Sequence, residues 1–205
     1  MKNKIELPRF LFRGDSDQDN YRDVRATINS GLLLTPLCKG GNGREIFSNS
    51  IGQLANRHIG KVWEKTHFLS FSSDEQTAFH YGSRDKQHDE VYDYKENWDF
   101  AVFTFDTTLL IQDSIKEIDR GIYFAQFAPT CKEFLPTYNV VLINAPIHLK
   151  SIATTINLDL TTAIANATRD NEWLILPASP FGYQGEFTGK LDTYCITAKR
   201  IFRYE

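Results

Sequence analysis

The sequence predicts an α+β domain, and three observations carry that expectation. Helix-like segments come early, strand-like segments follow without the regular strand–helix alternation of a doubly wound sheet, and 205 residues suit a single domain. A chain of this length buries a hydrophobic core without disulfide or metal staples. With 41% hydrophobic and 13% aromatic residues it reads as an ordinary globular protein.

Taken in order, Phe10-Leu11-Phe12-Arg13-Gly14 reads as a short strand ending at the turn-rich Gly14-Asp15-Ser16-Asp17. Tyr21, Val24 and Ile28 mark one face of a helix that Gly31 closes as a C-cap. Lys39-Gly40-Gly41-Asn42-Gly43 is a loop, and Ile51, Leu54, Ala55, His58 and Val62 recur at the spacing of a second amphipathic helix. Phe68-Leu69-Ser70-Phe71-Ser72 alternates as a strand. Ser72 or Ser73 is placed to cap the next helix, with Glu75 or Gln76 completing a capping box. Residues 84–97 are polar and read as an exposed loop. Phe100–Phe105 and Asn139–Ile143 are apolar strands, and Leu160–Ala167 is a helix. Glu172–Leu176 is a strand closed by Pro177, and a last strand lies within Tyr194–Tyr204. No internal repeat or domain boundary stands out.

Composition narrows the chemistry. A net charge of −3 argues against a strongly basic, phosphate-coating surface, while leaving room for a local basic patch. Cys38, Cys131 and Cys195 are scattered and odd in number, which points to a reducing compartment rather than a disulfide framework. The five histidines are dispersed, with no His-Glu-x-x-His, so no metal is expected. Gly40-Gly41-Asn42-Gly43 lacks the Gly-Lys-Ser/Thr of a P-loop and does not open a helix after a strand, as a dinucleotide fingerprint would. Asn166-Ala167-Thr168 matches a glycosylation acceptor by chance. The first residues carry no apolar run of signal length, and nothing approaches a membrane span, so a cytoplasmic chain with no membrane partner is expected.

Three segments carry candidate chemistry. Arg13 ends an apolar strand beside Gly14 and Asp15, and its planar fork suits a diphosphate; a structural ion pair at a strand end is the plain alternative. Alternation puts Ser70 and Ser72 on one side of their strand, opposite Leu69 and Phe71, so both hydroxyls can meet a carboxylate and a ligand; a strand end followed by a helix cap is the alternative. Asp170 and Glu172 stand at the mouth of Trp173-Leu174-Ile175-Leu176, a carboxylate pair able to divide roles or simply a solvated acidic turn.

In order and character the three segments resemble the arginine–serine–glutamate class of ADP-ribosyltransferases, which includes cholera and pertussis toxins and the pierisins. Leu11-Phe12-Arg13-Gly14-Asp15-Ser16 is similar to that family's opening strand, and Phe68-Leu69-Ser70-Phe71-Ser72 to its Ser-Thr-Ser strand, with Phe71 where threonine is usual. Asp170-Asn171-Glu172 is similar to its acid-x-Glu signature, with Asp170 where Glu or Gln is usual. The resemblance implies a single-domain ADP-ribosyltransferase-like fold, with a mixed, split β-sheet and N-terminal helices. It implies an enzyme that takes NAD⁺ as co-substrate without a metal and transfers ADP-ribose to a protein side chain, RNA or DNA. It further implies that Arg13 binds the NAD⁺ phosphates or ribose, Ser70 orders the site, Glu172 bonds the nicotinamide ribose and Asp170 prepares the acceptor. Gly14, Asp15, Ser72, Phe71 and Tyr81 complete the implied NAD⁺ set, with Phe68, Phe71, His80 and Tyr81 candidates to cover the nicotinamide. Two other placements of the catalytic acid stay open, Glu133 before Asn139–Ile143 and Glu186 in Gln184-Gly185-Glu186. So do two other functions, NAD⁺ hydrolysis and a silent binding module of this fold. The setting implied is an intracellular toxin or effector, with an antitoxin or inhibitor protein as a candidate partner.

Overall fold

The computed structural model describes residues 7–16, 26–27, 31–34, 55, 58–59, 68–83, 100–112, 114–126, 128, 139–154, 159–178, 189–191 and 196–202. Its elements run β1 (Phe10–Ser16), β2 (Ala26–Thr27), β3 (Gly31–Leu34), β4 (Leu69–Ser72), α1 (Glu75–Ser83), β5 (Phe100–Asp106), α2 (Thr107–Leu110), β6 (Lys116–Asp119) and β7 (Ile122–Gln126). Then come β8 (Asn139–Asn144), α3 (Ala145–Ala153), α4 (Thr161–Arg169), β9 (Glu172–Ala178), β10 (Gly189–Leu191) and β11 (Ile196–Phe202). Ala55, His58 and Ile59 are also helical. The architecture is mixed α+β.

Eight strands form one sheet in the order β11-β5-β1-β4-β9-β8-β7-β6, and β10-β3-β2 form a second. Alternation sorts the large sheet's side chains between two apolar layers. Leu11, Phe71, Phe103, Phe105, Leu142, Trp173 and Ile175 cluster on one face. On the other, Val141, Ile143 and Leu174 pack with Leu149 of α3 and Ala163 and Ala167 of α4, and with Ala55 and Ile59. Ala78 of α1 covers Phe100 and Val102 on β5. No helix among the described residues is long and apolar enough to cross a membrane.

Several expectations are corrected. The pairings among the described residues are all antiparallel rather than mixed. The first expected helix does not run to Gly31. Ala26 and Thr27 pair with Leu32 and Gly31, and β3 pairs in turn with β10, so sheet pairing overrides the helical spacing. Tyr21, Val24 and Ile28 lie outside the described residues, as do Lys39–Gly43, 84–97 and most of the second expected helix. β1 does not stop at Gly14 but continues to Ser16, pairing along its length with β5. Gly14 is there because α1 comes down on it: a Cβ would meet the carbonyl oxygen of Ala78 at 1.8 Å.

At the start of α1 the cap is Asp74, not Ser72 or Ser73. Its carboxylate accepts from the Thr77 amide at 3.0 Å and the Thr77 hydroxyl at 2.8 Å, and chiefly that hydroxyl bond holds its pKa below the usual carboxylate value. Ser72 Oγ instead accepts from the Asp74 amide at 2.9 Å. Pro177 does not close β9; it pairs opposite Val140 within the strand.

The C-terminal end of α4 sets the position of the next strand. Arg169 occupies its last turn, where a cation meets the negative end of the helix dipole. The amide of Asp170 still donates to the Asn166 carbonyl at 2.9 Å. Asn171 then turns left-handed at φ 45°, a conformation asparagine tolerates better than most residues. The reversal delivers Glu172 as the first residue of β9.

Candidate functional site

Ser70 is where the site converges. β1, β4 and β9 are neighbours in the sheet, although Arg13, Ser70 and Glu172 are far apart in sequence. The Arg13 Nη1 donates to the main-chain carbonyl of Ser70 at 2.8 Å. Ser70 Oγ donates to Glu172 Oε1 at 2.8 Å. The guanidinium thus meets the strand's backbone and the carboxylate its side chain. Among the described residues only Phe12↔Ser72 pairs β1 with β4, and Arg13 reaches across at the point where that ladder stops.

Register explains why Ser70 and not Ser72 receives Glu172. Ser72 stands directly opposite Glu172, and Ser70 stands opposite Leu174, so the carboxylate leans one diagonal step along β4. Ser72 is buried and otherwise engaged: its hydroxyl donates to the Asp170 carbonyl at 2.7 Å. It is part of the scaffold that holds the turn before β9.

His58 completes the arrangement, and the sequence alone assigns it no role. Its Nε2 lies 2.7 Å from Ser70 Oγ, and its ring stands edge-on to Phe68 at 5.8 Å between centroids. With Glu172 ionised, the Ser70 hydroxyl donates to the carboxylate and His58 donates through Nε2. With Glu172 protonated, both bonds can reverse. His58, Ser70 and Glu172 therefore form a chain that carries a proton in either sense. The sequence signal is a histidine on an otherwise apolar helical face, just ahead of the serine strand.

The Glu172 carboxyl is pushed up to about 7, chiefly by burial, with the nearby Asp170 charge adding to the effect. The Ser70 hydrogen bond and the Arg169 charge oppose it. Removing the hydroxyl should let the carboxyl rise further. In Ser70→Ala, the Glu172 titration followed by carboxyl ¹³C NMR is expected to move above about 7, whereas an unchanged or lower midpoint would show that the bond does not hold the ionised form.

Other expected site residues fall elsewhere. Asp170 is only 7% exposed, and its carboxylate accepts from Arg169 Nε at 2.7 Å, Arg169 Nη2 at 2.9 Å and the Tyr81 hydroxyl at 2.6 Å. Phe71 is 3% exposed and sits in the opposite layer, edge-on to Phe105, so it does not face the side where Ser70 and Glu172 meet. Phe68 is buried beside His58, and His80 is exposed with its Nε2 at 3.3 Å from Gln76 Nε2. Gly14 packs against α1. Asp15 pairs opposite Ala101, with its side chain outside the described residues. Glu133, Gln184, Gly185 and Glu186 also lie outside them. Compared with protein-family models, with curated proteins and with solved structures, the chain finds no match in any of the three.

Proposed function

We propose that this chain cleaves the bond between nicotinamide and ribose of NAD⁺ and transfers ADP-ribose to a macromolecular acceptor, on an ADP-ribosyltransferase-like fold. The observation that carries the reading is the convergence of Arg13 and Glu172 on Ser70 from three adjacent strands, in the chain order of the arginine–serine–glutamate class. Departure of nicotinamide leaves an oxocarbenium-like ribose. The chemistry asks the protein for no nucleophile and no metal. It asks for a clamp on the diphosphate and a negative charge beside the sugar as its cation develops. Arg13 supplies a guanidinium oriented by its bond to the Ser70 carbonyl, and Glu172 supplies a carboxylate oriented by the Ser70 hydroxyl. With its carboxyl held near 7, Glu172 carries that charge above neutral pH and loses it below.

Hydrolysis, with water as acceptor, is the second reading. It is favoured by one observation, that the Asp170 carboxylate is taken up by Arg169 and Tyr81 instead of being open to an acceptor. Incubation with NAD⁺ labelled in the adenylate half, with separate protein, RNA and DNA pools, divides the two. Label in one pool is expected and names the acceptor class. Free ADP-ribose without labelled macromolecule indicates hydrolysis, and neither product would refute NAD⁺ cleavage.

A further inference from the structure

We infer that Tyr81, Asp170 and Arg169 form a positioning unit that sets Glu172 against Ser70, and that Asp170 does not handle the acceptor. The inference rests on reading Glu172 as the carboxylate that serves NAD⁺ cleavage.

Both ends of Asp170 are tied. Its carboxylate takes the bidentate fork of Arg169 and the hydroxyl of Tyr81, and it is buried, so its oxygens have little capacity left to accept a proton from an incoming group. Its carbonyl takes the Ser72 hydroxyl at 2.7 Å, and one residue on the Ser73 amide donates to the Asn171 carbonyl at 3.2 Å. The turn is therefore anchored to the end of β4 through its backbone and to α1 through Tyr81. Glu172 comes two residues later, across a left-handed Asn171.

Helix α1 also fixes the other side of the site. Gly14, the neighbour of Arg13, lies against the backbone of Ala78 and Gly82, so β1 packs directly on the helix. Tyr81 is the residue before Gly82. One rigid turn of α1 thus gauges both the strand that carries Arg13 and the turn that carries Glu172. The bonds of Arg13 and Glu172 to Ser70 are thus backed by contacts that their chain neighbours make with α1.

Tyr81→Phe removes one hydroxyl and leaves the ring and the Asp170 charge in place, and Asp170→Asn is its companion. In both, nicotinamide release and ADP-ribose transfer are expected to fall together, by about 10-fold or more in kcat with KM for NAD⁺ little changed. If Asp170 instead prepares the acceptor, Asp170→Asn loses transfer and keeps nicotinamide release, which overturns the proposal. Wild-type kcat in Tyr81→Phe also overturns it. Should the wild-type protein release no nicotinamide, the failure lies with the functional reading. The positioning claim is then decided by the ¹³C titration of Glu172, which is expected to rise above about 7 in Tyr81→Phe, as in Ser70→Ala, because a carboxyl no longer held against Ser70 loses the hydroxyl that favours its ionised form. An unmoved titration in that variant sinks it whatever the activity.

Discussion

Glu172→Gln is expected to give a protein that is more stable than the wild type above neutral pH and slower in NAD⁺ cleavage by about 10³-fold. The two effects share one cause. In the folded state the carboxyl is held at about 7 by burial, against 4.5 for the free group. Below about pH 4.5 it is neutral in folded and unfolded chains alike, and it costs nothing. As the pH rises from there to about 7, the unfolded chain sheds the proton while the folded one keeps it, so stability falls; above about 7 the whole penalty is present. At about 1.4 kcal/mol for each tenfold change in acidity, that penalty is about 3 kcal/mol at most. Glutamine keeps the acceptor oxygen for Ser70 and carries no charge to desolvate. Thermal unfolding should therefore place the variant roughly 8 °C above the wild type at about pH 8 and level with it at about pH 4. A variant less stable at the higher pH would mean that Glu172 is a structural partner rather than a strained working group.

Gly14→Ala is expected to lower the unfolding temperature by roughly 10 °C. The added Cβ would lie 1.8 Å from the Ala78 carbonyl oxygen and 2.5 Å from the Gly82 amide nitrogen, and both are backbone atoms of α1. Neither yields by a rotamer change, so β1 and α1 must separate. That costs about 3 kcal/mol or more. Gly82→Ala meets the Phe100 ring at 2.8 Å, a side chain with some freedom to tilt, and should lose less. Circular dichroism melts of the two variants rank them; a wild-type melt for Gly14→Ala would contradict the close approach. By separating α1 from β1 the substitution should also disturb the turn that Tyr81 holds.

What is legible in the sequence tracks the strength of local signals. The aromatic run at Phe100–Phe105 and the apolar runs at Asn139–Ile143 and Glu172–Leu176 are strands within a residue or two of their observed ends, because burial on both faces writes itself as a continuous hydrophobic stretch. The alternation that puts Ser70 and Ser72 together, apart from Phe71, is local geometry and needs no partner. Ala26–Thr27 reads as helix because a two-residue strand, paired to Gly31 and Leu32 just beyond it, is too short to carry a period of its own. Gly14 resembles a turn because a glycine required by a neighbouring helix has the same letter as one required by a bend.

Within the site, the sequence holds the identities but not the roles. Asp170 and Glu172 look like a pair facing one way. The left-handed Asn171 and the arginine one step earlier turn the first acid inward and send the second to Ser70. Ser72 looks like the twin of Ser70, yet the turn needs a hydroxyl donor and takes it. His58 gives only its helical spacing, since a bond to a residue on the next strand leaves no mark on the intervening sequence.

Release of nicotinamide from NAD⁺ by the purified protein, followed from about pH 5 to about pH 9 beside Glu172→Gln, is the most direct measurement. The expected result is a rate that climbs with a midpoint near 7 as Glu172 ionises, and a variant with almost no rate at any pH. No release by the wild-type chain across the range, or release undiminished in Glu172→Gln, would contradict the assignment of NAD⁺ cleavage to Arg13, Ser70 and Glu172.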